Sequence, residues 1–111
     1  MIEILVYGNN EPILNTVIRL INKKESWKGE GSTEEERIIE LLQIRSIDLL
    51  LLGGGISEES EKRIRILTRK LSPGTVIVQH YGGGSGLLTY EIETALVDIE
   101  KPVHILDNPF D

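Results

Sequence analysis

Gly82-Gly83-Gly84-Ser85-Gly86 stands directly before a stretch with helical apolar spacing. Glycines at a helix entrance leave backbone N–H groups free to hold an anion, which makes Gly82, Gly83, Gly84 and Ser85 a candidate anion-binding loop. Neither GxxxxGKS/T nor GxGxxG occurs, and a turn before a helix capped by Ser85 accounts for the same residues. The histidines are His80 and His104. One falls near the end of an apolar run and the other near the start of the next. In parallel neighbouring strands that places them on the order of 10–15 Å apart, too far to share a metal. His80 alone suits anion binding or proton sensing, or else a structural role with its ring nitrogens satisfied. Cysteine is absent, which removes disulfides, thiolate metal sites and a cysteine nucleophile. Lys62, Arg65 and Arg69 form a basic stripe, but Glu58, Glu59 and Glu61 each stand four residues before a cation. That is the pattern of a solvated helix face. No paired carboxylates and no activated nucleophile accompany His80, so the residues point to a non-enzyme with no cofactor and no metal.

The elements that must position these residues are punctuated by glycine and proline. Ile2–Tyr7 reads as a strand. Asn10 reads as a helix N-cap with Pro12 in the first turn, followed by a stripe of Ile13, Leu14, Val17, Ile18 and Ile21. Trp27–Gly31 is a short polar strand suited to a sheet edge, where its lone Trp27 caps the core or anchors a partner. Thr33 and Glu36 have capping-box spacing, and Ile38, Leu41 and Leu42 give the next helix its stripe. Ile47–Leu52 is apolar without alternation, as in a strand covered on both faces. A helix from about Ser57 to Leu71 follows, with Ile64, Leu67 and Leu71 facing inward. Thr75–Tyr81 is the next strand, residues from about Leu87 to Glu100 the next helix, and Val103–Asp107 the last strand. Alternation with short loops predicts an α/β fold: an open parallel sheet wrapped by right-handed crossovers. Five strands in the flavodoxin-like order 2-1-3-4-5 place the polar second strand and the last strand at the edges. The functional loops then gather at the carboxyl ends of the strands: Gly8-Asn9-Asn10, Gly53-Gly54-Gly55 and His80-Tyr81-Gly82.

The chain has 111 residues, 40% apolar and 27% charged. That length suits one domain, 1–111, burying roughly two thirds of its unfolded surface. Net charge is −6 and aromatics are 5%, against nucleic-acid binding, which needs clustered cations and stacking rings. No apolar run is long enough to span a bilayer, and Met-Ile-Glu-Ile lacks the basic start of a signal peptide. A cytoplasmic protein is expected.

Four stretches, in order, resemble the receiver domains of response regulators. Ile4–Pro12 (ILVYGNNEP) is similar to the first strand and acidic turn, roughly ILVVDDEP, with one residue inserted near Gly8. Asp48–Gly53 (DLLLLG) resembles the third strand, DLVLLD, whose final aspartate accepts the phosphoryl group. Val76–Tyr81 (VIVQHY) resembles the fourth strand, and Ile105–Asp111 (ILDNPFD) resembles the fifth-strand signature YLxKPFD. The resemblance implies a CheY-like fold and counterparts for each pocket residue. Asn9 and Asn10 stand for the Mg²⁺-holding acids, Gly53 for the phospho-acceptor, His80 for the threonine or serine, and Asn108 for the lysine. Mg²⁺ sites rely on carboxylates, and an acyl-phosphate needs a carboxylate nucleophile; amides and glycine supply neither.

The expectation is therefore a degenerate, phosphorylation-independent receiver-like signalling module that works by protein–protein interaction, with a protein partner or a homodimer. The resemblance also implies a helix after the fifth strand, which the chain lacks. That leaves four helices and an apolar sheet face open beside the first helix. The competing expectation is a flavodoxin-like domain binding a phosphate-bearing small molecule at the glycine-rich loops.

Overall fold

The structure, a computed structural model, describes residues 1–80, 82 and 84–100. Its elements run β1 (Ile2–Tyr7), α1 (Glu11–Asn22), β2 (Trp27–Ser32), α2 (Glu35–Ile44), β3 (Leu49–Leu52), α3 (Glu58–Leu71), β4 (Val76–Gln79) and α4 (Ser85–Glu100). The strands are parallel and lie in the order β2-β1-β3-β4. The expected alternation and order hold across them. The segment 103–107, expected as a fifth strand, lies outside the described residues, as do His104 and Asn108.

Strand parity divides the core into two layers. Ile4, Val6, Leu49 and Leu51 face α1 and α4, which contribute Leu14, Val17, Ile21, Leu88, Ile92 and Leu96. Leu5, Tyr7, Leu50 and Leu52 face α2 and α3, through Ile38, Leu41, Leu42 and Ile64. All four residues of β3 are buried, which is why its sequence shows no alternation. Trp27 closes the first layer at 5% exposure, with the Lys24 ammonium 4.7 Å from its ring centroid.

The sheet face beside α1 was expected to be open. Instead α4 lies there, with Leu88, Ile92 and Leu96 against the sheet. An apolar face next to a helix rich in Leu and Ile gains too much from burial to stay wet. The exposure falls on β4 instead, where all four residues are only partly buried.

Other local expectations shift for identifiable reasons. The cap of α2 is Glu34, not Thr33, and no side chain completes a capping box; the Ser32 hydroxyl instead accepts from the Glu34 N–H at 2.9 Å. The first acceptor of α4 is the Gly84 carbonyl, bonded by the Leu88 N–H at 3.2 Å, so Ser85 is inside the helix rather than its cap. The buried stripe of α3 is Ser60, Ile64 and Thr68, while Leu71 is exposed. The two hydroxyls are satisfied there: Thr68 donates to the Ile64 carbonyl at 2.6 Å, and Ser60 bonds Tyr7 Oη at 2.7 Å.

Candidate functional site at the carboxyl edge of the sheet

The loops after β1, β3 and β4 meet at the carboxyl edge, where the chain crosses from one side of β1 to the other. In open α/β sheets this switch point is where ligands bind. A cavity of about 190 Å³ opens there. Gly8, Gly53, Gly54 and Gly82 give it backbone walls, Val6, Ile13 and Leu14 an apolar floor, and Asn10 and His80 its polar side chains. Among the described residues, no aspartate, glutamate, lysine or arginine lines it.

The two asparagines are held by the loops they belong to. Asn9 Nδ2 donates to the Gly55 carbonyl at 2.6 Å. Gly55 sits at φ +87°, and a Cβ there would stand 2.5 Å from Asn9 Oδ1, so this turn requires glycine. Asn10 Oδ1 accepts from the Ile13 N–H at 3.0 Å, the expected cap of α1. Gly53 donates its N–H to the Tyr7 carbonyl at 2.8 Å. A Cβ at Gly53 would approach nothing closer than 3.5 Å, an ordinary contact. Packing therefore leaves room for a side chain at Gly53, the residue expected to stand for a phospho-acceptor; the sequence does not supply one.

His80 is 7% exposed. Its Nδ1 lies 2.5 Å from Glu91 Oε1 on α4, and its backbone N–H donates to the Leu52 carbonyl at 2.8 Å. The carboxylate accepts, so the Nδ1–H tautomer is fixed and Nε2 is left as the ring's other hydrogen-bonding atom. The sequence offered His80 but not its partner: Glu91 is one acid among several on α4, and only the packing of that helix brings it to the histidine. Gly82 lines the cavity. Gly83 is not among the described residues. Among those residues, no cluster of three His, Asp or Glu side chains is placed to hold a metal ion.

Two larger hollows, of about 270 and 310 Å³, lie between the end of α1 and α4 around Lys24 and Trp27. They are remote from the switch-point loops. The Lys24–Glu93 ion pair, at 2.6 Å, joins the turn after α1 to α4 there.

A polar chain that sequence reasoning missed lies behind the site. Tyr7, at the end of β1, bonds Ser60 of α3, whose hydroxyl reaches Glu35 Oε1 of α2 at 2.8 Å. Arg63 then grips Glu35 with Nε to Oε2 at 2.7 Å and Nη2 to Oε1 at 2.8 Å. The hydrogen bond from Arg63, with lesser help from Ser60 and the guanidinium charge, holds the Glu35 carboxyl below the usual range against the opposing effect of burial. Arg63 was expected to pair along its own helix with Glu59; it bridges to α2 instead. The expected Glu61–Arg65 pair does form, at 2.9 Å.

No protein-family model matches the chain, and no curated protein matches it. Solved structures do. A CheY-like response-regulator receiver domain from Methanospirillum hungatei JF-1 aligns over 92% of this chain and 98% of its own, at 11% identity and a TM-score of 0.65. The fold is that of a CheY-like receiver. A chain from Burkholderia thailandensis E264 described as the pilus assembly protein CpaE aligns over 86% of this chain and 80% of its own, at 21% identity and a TM-score of 0.60. A pilus assembly-related protein from Burkholderia pseudomallei K96243 covers 86% of this chain and 72% of its own, at 20% identity and 0.57. No helix among the described residues is long and apolar enough to cross a membrane.

Proposed function

We propose that this chain is a receiver-like module that takes up no phosphoryl group, performs no catalysis and works by binding protein. One observation carries the reading. The switch-point cavity has the receiver's location but is lined, among the described residues, by glycine backbone, apolar side chains, Asn10 and His80, with no carboxylate. Phosphoryl transfer to a receiver needs a nucleophilic carboxylate and acidic ligands for Mg²⁺. Here Asn9 and Asn10 are engaged in loop and helix-cap bonds, and Gly53 has no side chain. The likeness to receiver and pilus-assembly chains supports a signalling or assembly setting. The alternative, a phosphate-bearing small molecule, is less favoured: the cavity exists, but no cation among the described residues lines it, and Glu11 occupies the first turn of α1, where a bound anion would meet repulsion.

Thermal denaturation with and without Mg²⁺ plus beryllofluoride, a mimic of the phosphoryl group on aspartate, tests the reading. The melting temperature is expected to stay unchanged. An upward shift requiring both components overturns the proposal. A shift with nucleotides or phosphate alone favours the small-molecule alternative instead, because a ligand at a hundredfold excess over its Kd stabilises by about 2.7 kcal/mol.

A further inference from the structure

We infer that the edge of β4 left unpaired among the described residues is a self-association surface, where two copies join β4 to β4 antiparallel about a two-fold axis and continue the sheet across the dimer. Among the described residues β4 pairs with β3 alone. The Val76 N–H donates to the Asp48 carbonyl at 3.0 Å and the His80 N–H to the Leu52 carbonyl at 2.8 Å. Even-numbered residues thus turn their backbone groups to β3. Ile77 and Gln79 turn theirs to the free edge.

The two sheet edges are built differently. β2 carries Lys28, Glu30 and two glycines, the charges and interruptions that discourage pairing with another chain. β4 is Val-Ile-Val-Gln, with no charge, glycine or proline, and is partly exposed throughout. It lacks every device that protects its counterpart.

The faces taken by α3 and α4 bear on what can pair with this edge. The α3 crossover from β3 to β4 runs over the face packed by α2 and α3. α4 leaves β4 over the opposite face, beside α1. A parallel strand set beyond β4 after α4 would move in the same direction over the other face, which reverses the hand of the crossover. About 98% of such crossovers are right-handed.

A second copy fits without that cost. A two-fold axis at Val78 sets Ile77 opposite Gln79 of the second copy and Gln79 opposite its Ile77. The outward N–H and C=O groups of both residues then bond reciprocally. The same axis keeps the two α4 helices on one side of the joined sheet, side by side. α4 carries Leu87, Tyr90 and Val97 at 46%, 66% and 51% exposure, more apolar surface than a solvated helix face needs.

The absence of cysteine gives a clean test. Val78→Cys places one thiol per chain at the two-fold axis. There, Cα atoms of a non-hydrogen-bonded antiparallel pair stand about 4.5 Å apart, within the span of a disulfide. Mild oxidation of the full chain is expected to give a covalent dimer, while Lys28→Cys on the opposite edge stays monomeric. Sedimentation of the unsubstituted chain is expected to give a dimer at high concentration, a readout that does not depend on Val78→Cys folding. A monomer at submillimolar concentration, or equal cross-linking at positions 78 and 28, overturns the inference. It extends the protein-binding reading to a definite partner but fails separately from it: the cross-link reports the sheet edge, the beryllofluoride scan the phospho-acceptor.

Discussion

A Cβ on Gly31 would stand 2.4 Å from the Val6 carbonyl oxygen and 3.1 Å from Leu14 Cδ1. The first neighbour is backbone in a central strand and cannot move aside. At Gly29 the clash is with Ile21 Cγ2, at 2.8 Å. Both glycines let α1 settle close to the edge strand, so the weak strand propensity of WKGEGS is the condition for packing α1 there. Gly31→Ala is expected to destabilise the fold by about 1–3 kcal/mol, the usual cost of overpacking. Urea denaturation should show a lower midpoint at an unchanged slope; an unchanged midpoint would mean that β2 yields. Residues of this kind were half legible in the sequence. Asn10 announced itself as a cap, because Asn before a proline-containing first turn has a local meaning. Ser60 and Thr68 did not. Their burial depends on Tyr7 of a distant strand and on the rotation of α3, neither of which periodicity encodes.

Between elements, α2 and α3 are linked by the clamp of Glu35 on α2 by Arg63 and Ser60 on α3. Planar, two-point pairing of guanidinium and carboxylate is the favourable geometry for such a link. Its pH dependence has a definite sign. The Glu35 carboxyl sits below its ordinary value of 4.5 in the folded state, chiefly through the Arg63 hydrogen bond. The carboxylate therefore contributes stability above the unfolded value, and that contribution is lost as pH falls through the lower, folded one. Melting temperature is expected to fall on acidification below about pH 5, and Glu35→Gln should flatten that fall while retaining an acceptor for Ser60 and Arg63. Equal acid slopes for both proteins would show that other carboxylates govern the transition. The helices themselves were legible, since their stripes carry the 3.6-residue period. This clamp was not: Glu59 stands at the right spacing for Arg63 along one helix, and only the packing of α2 against α3 offers Glu35 instead.

At the scale of the molecule, the order of the described strands followed from where the apolar runs fall and how short the loops are. The face taken by α4 did not. Leu88, Ile92 and Leu96 form one stripe on that helix, while Leu87, Tyr90 and Val97 remain exposed. A helix apolar on more than one side has no unique inward direction in its sequence. The carboxyl-edge site was legible as a set of loops but not as a cavity, because the walls are backbone and the His80–Glu91 contact depends on α4 taking the face of α1. Among the described residues, β1 and β3 have neighbours on both sides, and β2 and β4 have one each. Amide hydrogen exchange should reproduce this asymmetry. Leu5, Val6, Leu50 and Leu51 are expected to exchange most slowly, near the limit set by global unfolding. The outward amides of Ile77 and Gln79 carry the sharper prediction. In a β4–β4 dimer they are hydrogen-bonded, so their protection should rise with protein concentration while that of Val78, already bonded to β3, changes little. Slow exchange at Ile77 and Gln79 that is independent of concentration would mean that a segment of the same chain covers the edge. Fast exchange at every concentration would mean that nothing does.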